Sequence, residues 1–162
     1  MKKKMDMKGI IGVSGEFFVA AELSQRGIVA TMTLKNTPYI DILATNLEKA
    51  KTANIQVKTM SIRNNAGWHL GPKDGEPSGI ANHFYVLVNL QGQGKLPEYI
   101  ILPKEKFSVF LKVKQEKWES GKKRDGTPRK KTTMWIFDPN RNEHSRKFAE
   151  KYINNWSILD LW

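Results

Sequence analysis

The chain has 162 residues, 40% hydrophobic and 27% charged, a balance suited to one folded domain with its own core rather than to a disordered chain. It has no cysteine, which excludes disulfide frameworks, thiolate zinc sites and cysteine nucleophiles. Its 27 Lys and Arg against 16 Asp and Glu give a net charge of +11, which draws polyanions and nucleic acid above all; the plain counter-reading is a basic, solvated surface with no partner.

The N-terminal stretch MKKKMDMKGIIGVSGEFFVAA has a basic start and an apolar continuation, but Glu16 interrupts it before it reaches the length of a signal core or a membrane span. The expectation is a cytoplasmic, soluble protein without a membrane partner, a single domain over residues 1–162. The spacing predicts a first helix over residues 14–26, with Ser14 as N-cap and Gly27 just past its end. Steps of 100° place Phe17, Val19, Ala20 and Leu23 on its inner side. Glu16 precedes Ala20 by four residues and Leu23 by seven, so this carboxylate falls on the same face.

Strands are predicted over residues 27–34, 39–45 and 53–60, with the turn signal Asn36-Thr37-Pro38 before the second. The short polar link NLEKAKT suits an antiparallel hairpin of the last two. Residues 62–82 carry four Gly and two Pro and read as a long loop, of the kind that borders a site. A strongly apolar strand over 83–90, covered on both faces, and a fifth over 98–102 follow. A short helix over 103–120, a basic loop over 120–132, a late strand over 132–139 and a C-terminal amphipathic helix over 142–156 complete the chain. That helix would turn Phe148, Tyr152 and Ile153 inward. The order predicts a mixed α/β domain with a central sheet.

Strand parity puts Gln56 and Lys58 on one face with Asn54 and Met60, opposite Ile55 and Val57. Paired as a hairpin, the two strands bring Asp41 beside them, and Glu16 can approach from the helix. A buried carboxylate is costly unless it is paired, hydrogen-bonded or bound to metal. One explanation is a Mg²⁺ site for phosphodiester chemistry: Asp41 and Glu16 as ligands, the Val57 carbonyl and the Gln56 amide oxygen as neutral donors, Lys58 serving water and phosphate. The other is an Asp41–Lys58 ion pair on a wet face, with Glu16 reaching solvent near the helix start.

The run GEFFVAAELSQRG, followed by YIDILAT and IQVKT, resembles the PD-(D/E)XK nuclease-like superfamily, in particular its compact Holliday-junction-resolvase-like branch. In that pattern a helical Glu precedes a strand Asp and a (D/E/Q)-x-K in the next strand, and Glu16, Asp41, Gln56 and Lys58 stand in those places. The likeness covers about residues 9–60. It implies a restriction-endonuclease-like fold, a central mixed sheet flanked by helices, and Mg²⁺- or Mn²⁺-dependent endonuclease activity on DNA. Two departures stand out. Ile40 precedes Asp41, so the PD dipeptide is absent, and Gln56 replaces the usual acid. One negative charge fewer weakens Mg²⁺ binding, which keeps a second reading open: a catalytically inactive nucleic-acid-binding module of the same fold.

Further candidates lie elsewhere. Lys122, Lys123, Arg124, Arg129, Lys130 and Lys131, with Lys2, Lys3 and Lys4, offer a surface that tracks phosphates. Trp68 and Trp118 are placed to stack on bases or to serve as core and rim residues. His69, His83 and His144 lack metal-ligand spacing; His83 reads as structural and His69 as a loop residue within reach of a phosphate. The ending NNWSILDLW is apolar enough to dock on the domain or to pair with a second copy as a homodimer.

Overall fold

A computed structural model describes residues 7–34, 37–62, 64 and 66–162; Lys2, Lys3, Lys4 and Asn36 lie outside the described residues. The elements run α1 (Met7–Gln25), β1 (Val29–Met32), β2 (Ile42–Asn46), β3 (Lys51–Met60), β4 (Trp68–Leu70), β5 (His83–Asn89), β6 (Glu98–Pro103), α2 (Lys104–Glu119), β7 (Trp135–Phe137) and α3 (Glu143–Ala149). A five-stranded sheet has the order β1-β2-β3-β5-β6, and β4 pairs with β7 in a second, two-stranded sheet. All pairs are antiparallel except β3 with β5. The fold is therefore α/β with a mixed central sheet flanked by helices, as the element order predicts.

The parallel β3–β5 pair explains the long segment between them. Parallel neighbours need a crossover of a dozen residues or more, so the Gly- and Pro-rich stretch has to climb over the sheet and return. It is not a bare loop, as expected from its composition, because it holds β4 and a 3₁₀ turn, Pro72–Gly75. β5 is buried on both faces. Phe84, Val86 and Val88 pack toward α1, and Tyr85 and Leu87 toward α2. Its near-continuous apolar sequence follows from that double burial.

α1 lies on the sheet through glycine. Glycine inside a helix costs about 1 kcal/mol relative to alanine, so it needs a reason to be there. At Gly15 the reason is contact: a Cβ would stand 2.0 Å from Thr59 Oγ1 of β3. Thr59 Oγ1 also donates to the Gly12 carbonyl (3.3 Å), so strand and helix meet backbone to side chain. The helix ends at Gly27, whose φ of +76° permits the N–H groups of Gly27 and Ile28 to bond Ser24 O and Leu23 O.

Several boundaries differ from expectation. α1 starts at Met7, and Ser14 is an interior residue whose hydroxyl donates back to Ile11 O (2.7 Å), not an N-cap. Phe17 is 60% exposed rather than inward, because the buried stripe is Gly15, Val19 and Leu23 and Phe17 lies some 200° from its two nearest members. α2, by contrast, falls within one residue at each end of the helix expected over 103–120. The C-terminal helix is broken: α3 stops at Ala149 and a 3₁₀ turn, Glu150–Tyr152, follows. Edge strand β6 claims the next backbone. Asn154 N–H donates to Tyr99 O (2.8 Å), Tyr99 N–H donates to Asn154 Oδ1 (3.1 Å), and Ile153 bridges Ile100. Tyr152 is buried and Phe148 half-buried, but Ile153 faces out. The apolar ending docks on its own domain: Trp156, Leu159 and Leu161 sit in the α1-side core.

Gly15→Ala is expected to destabilise the fold by about 1–3 kcal/mol, the cost of overpacking. In the double variant with Thr59→Ala the 2.0 Å clash with Oγ1 is gone but the two methyl carbons still meet at 3.0 Å, so only part of the loss should return. Urea midpoints at constant slope measure both.

Candidate functional site

β2 ends at Ile42, opposite Ile55, while β3 continues to Met60. Past Ile55, β3 has no strand on that side. Asp41 fills the gap: its N–H donates to Ile55 O (2.8 Å), and Val57 N–H donates to its Oδ2 (2.7 Å). A strand residue's N–H and C=O point to the same side, so the Val57 carbonyl faces this gap too. The segment carrying Asp41 is held from both flanks. Thr33 Oγ1 donates to Ile40 O (2.6 Å), Thr33 N–H donates to Asp41 O (2.9 Å), and His83 Nε2–H donates to Tyr39 O (3.0 Å). Tyr39 turns the chain with a φ of +66°, so the expected strand over 39–45 begins only at Ile42.

Glu16 and Asp41 line one cleft of about 780 Å³ with Gly12, Val13, Met32 and Thr33. Burial pushes the Glu16 carboxyl above its ordinary range, and the charge of Asp41 pushes it further. Burial also raises Asp41, against the opposing pull of the Val57 N–H, Lys58 and His83. The charge of Asp41 thus disfavours ionisation of Glu16, an effect that a nearby cation would reverse.

Gln56 and Lys58 share the face of Asn54 and Met60, as parity requires, while Val57 packs toward α1. Lys58 lines a neighbouring cleft with Lys8, Thr59, Asn64, Trp68 and His69. Its Nζ lies 3.9 Å from Asp74 Oδ1. The cross-strand ion pair of the counter-reading is therefore not the one formed: Lys58 pairs with Asp74, and the Asp41 carboxylate takes the Val57 N–H. The Gln56 Oε1 atom is buried with no hydrogen-bond donor. It stands on the strand between Ile55 and Val57, the two residues that hold Asp41.

Do these groups fit a divalent metal? Among the described residues no three of His, Asp and Glu cluster to bind one by themselves. The candidate donors are two carboxylates that share a cleft, a backbone carbonyl on the open edge of β3 and, on the residue before it, an orphaned amide oxygen. All are hard oxygen ligands of the kind Mg²⁺ or Mn²⁺ takes, with the remaining positions left to water or phosphate. The set fits, with one acid fewer than a fully acidic site.

The basic segment follows α2 and leads back to β4 through β7. Residues 122–128 form a tight hairpin, with Lys123 N–H donating to Thr127 O and Asp125 Oδ1 accepting from Thr127. It sits at the C-terminal end of α2, a helix about 24 Å long whose first residue, Lys104, bonds Asp74 O. Lys122, Lys123, Arg124, Lys130 and Lys131 are exposed. Arg129 is committed, stacked over Trp118 at 4.8 Å and donating to Trp118 O. Trp68 is not available to a base, because it is buried with its Nε1–H on Lys58 O (3.0 Å). His144 stacks on Phe110, His83 is a buried strand residue, and His69 is exposed beside the Lys58 cleft. Three residues that the sequence did not single out join the site from behind: Asp74, Tyr85 and Lys104.

In the metal-free protein the raised Glu16 carboxyl subtracts stability. The folded state holds its proton more tightly than the unfolded chain, so stability falls as pH rises from the ordinary 4.5 through the raised value and then levels. Glu16→Gln removes that loss. Its melting temperature should exceed that of the wild type at pH 7, and the difference should vanish below pH 4 or thereabouts. A constant difference at all pH values would contradict the account.

No protein-family model and no curated protein matches the chain. The crystal structure of MepB is similar to it at a TM-score of 0.38 and 10% sequence identity, over 85% of this chain and 93% of that one.

Proposed function

We propose that the chain is a divalent-metal-dependent endonuclease that hydrolyses phosphodiester bonds in DNA. The observation that carries this reading is that Glu16 and Asp41 line one cleft, where burial and the charge of Asp41 raise the Glu16 carboxyl, while the buried Gln56 Oε1 on the adjoining strand is left without a donor. A protein leaves a buried acceptor unsatisfied at a cost of about 1–3 kcal/mol, and a cation at this gap would remove that cost together with the repulsion between the acids.

In this reading Asp41 and Glu16 hold Mg²⁺ or Mn²⁺, with the Gln56 amide oxygen and the Val57 carbonyl completing the protein share. The bound ion supplies Lewis acidity toward a phosphate oxygen and a more acidic water. The chain's own part is orientation. The Val57 N–H and the flanking bonds keep Asp41 in one pose, and the Lys58 ammonium, whose charge is felt at Asp41 from the neighbouring cleft, would orient the attacking water and offset charge building on the phosphate. The net positive charge of +11 and the exposed hairpin lysines supply non-specific attraction to a polyanion.

Gln56 itself favours a second reading. A neutral oxygen where the pattern carries an acid suits a module of the same fold that binds nucleic acid without cutting it.

Incubating linear, branched and single-stranded DNA with Mg²⁺ or Mn²⁺ separates the two. Wild type should cleave at least one substrate, Asp41→Ala should abolish cleavage, and Lys58→Ala should lower the rate by about 10²–10³-fold. If wild type binds every substrate and cuts none, and Asp41→Ala binds equally well, the binding module is the correct reading.

A further inference from the structure

Asp74 lies on the β3–β5 crossover, in the 3₁₀ turn Pro72–Gly75. Its Oδ2 accepts from Gly71 N–H (2.7 Å), and its Oδ1 accepts from the Tyr85 hydroxyl and faces Lys58 Nζ. Tyr85 stands directly opposite Gln56 in the parallel ladder, so this network runs behind the candidate site on the same face of the sheet. The turn is fixed from below by Lys104, which is only 2% exposed. Its three donors are all used, on Asp74 O (2.9 Å), Glu76 O (2.6 Å) and Ser108 Oγ (2.6 Å). A buried ammonium is tolerated only with such a complete set of acceptors, so the carbonyls must stay where Lys104 needs them. Gly75 adds a steric stop, since a Cβ there would stand 2.3 Å from the Trp135 ring.

We propose that Asp74 is the positioning residue of Lys58, and that the buried Lys104 holds the turn that presents it. As a statement about catalysis this rests on the nuclease reading; as a statement about Lys58 it does not. Lysine carries its charge on a flexible four-carbon stem, and a fixed counter-charge is what confines it. Asp74 is poorly suited to replace the acid missing at Gln56, because both of its oxygens are already engaged by Gly71, Tyr85 and Lys58. Its chemistry passes through the Lys58 ammonium.

Two measurements decide it. In metal-free protein, ¹³C relaxation at the Lys58 side-chain terminus should report restricted motion in wild type. Asp74→Asn and Lys104→Met should loosen it toward the motion of the exposed Lys106, while Leu87 and Leu102 methyl groups, deep in the adjoining core, stay unchanged. Lys58 as mobile as Lys106 in wild type, or unmoved by Asp74→Asn, overturns the proposal whether or not the protein cuts DNA. On cleavage, Asp74→Asn should lower kcat by up to about 10²-fold with KM little changed. In a Lys58→Ala background the same change should have an effect within roughly twofold, since its partner is already gone. Equal losses in both backgrounds would mean that Asp74 acts on the fold and not through Lys58. Absence of any cleavage by wild type would remove the nuclease reading and leave the relaxation result to stand alone.

Discussion

The hydrogen bond from Val57 N–H to the Asp41 carboxylate is the contact on which the site depends. It exists because β2 stops at Ile42 while β3 runs on, leaving strand backbone that a buried sheet has to satisfy somehow. A side chain takes over from the missing strand. The same substitution turns the Val57 carbonyl toward the gap and places Gln56 between the two residues that hold Asp41. The Asp41 carboxylate and the Val57 carbonyl thereby meet at one strand-end mismatch. Glu16 arrives independently, from a helix that can approach β3 only because Gly15 has no Cβ.

Both carboxylates stand where burial disfavours their charge, and the charge of Asp41 makes ionisation of Glu16 harder still. A fold that merely needed to close this cleft could do so more stably with amides or aliphatic groups, because buried uncompensated charge is among the more costly features a core can contain. The orphaned Gln56 Oε1 points the same way. On the reading proposed above, these local costs would share one remedy, a hard cation. Their combination is stronger than any single residue in it. Asp41 alone would be a strand cap, Glu16 alone a half-buried helix residue, and Lys58 alone a partner of Asp74.

Much of this was legible in the sequence because it is carried by short-range pattern. Alternation along residues 53–60 placed Gln56 and Lys58 on one face, and Gly27 marked the helix end through its backbone freedom. What escaped was set by distant contacts. Phe17 looked inward until Gly15 and Thr59 fixed which helix face meets the sheet. The helical period over 142–156 was real, but β6 recruited Asn154 and broke it. Asp74 and Lys104 could not be found from a Gly- and Pro-rich crossover, because their meaning comes from how that crossover folds back on β5 and α2. The basic loop was visible as composition, and the hairpin it folds into was not, since that turn is held by the Thr127 bonds to Lys123 and Asp125.

The central claim is that Glu16, Asp41, Gln56 and the Val57 carbonyl make one divalent-cation site. Calorimetric titration of metal-free protein with Mn²⁺ tests it without any assumption about substrate. The account predicts saturable binding of a single ion, abolished in Asp41→Asn and tightened in Gln56→Glu, where the missing negative charge is restored. Absence of saturable binding, or binding that Asp41→Asn leaves unchanged, would contradict it.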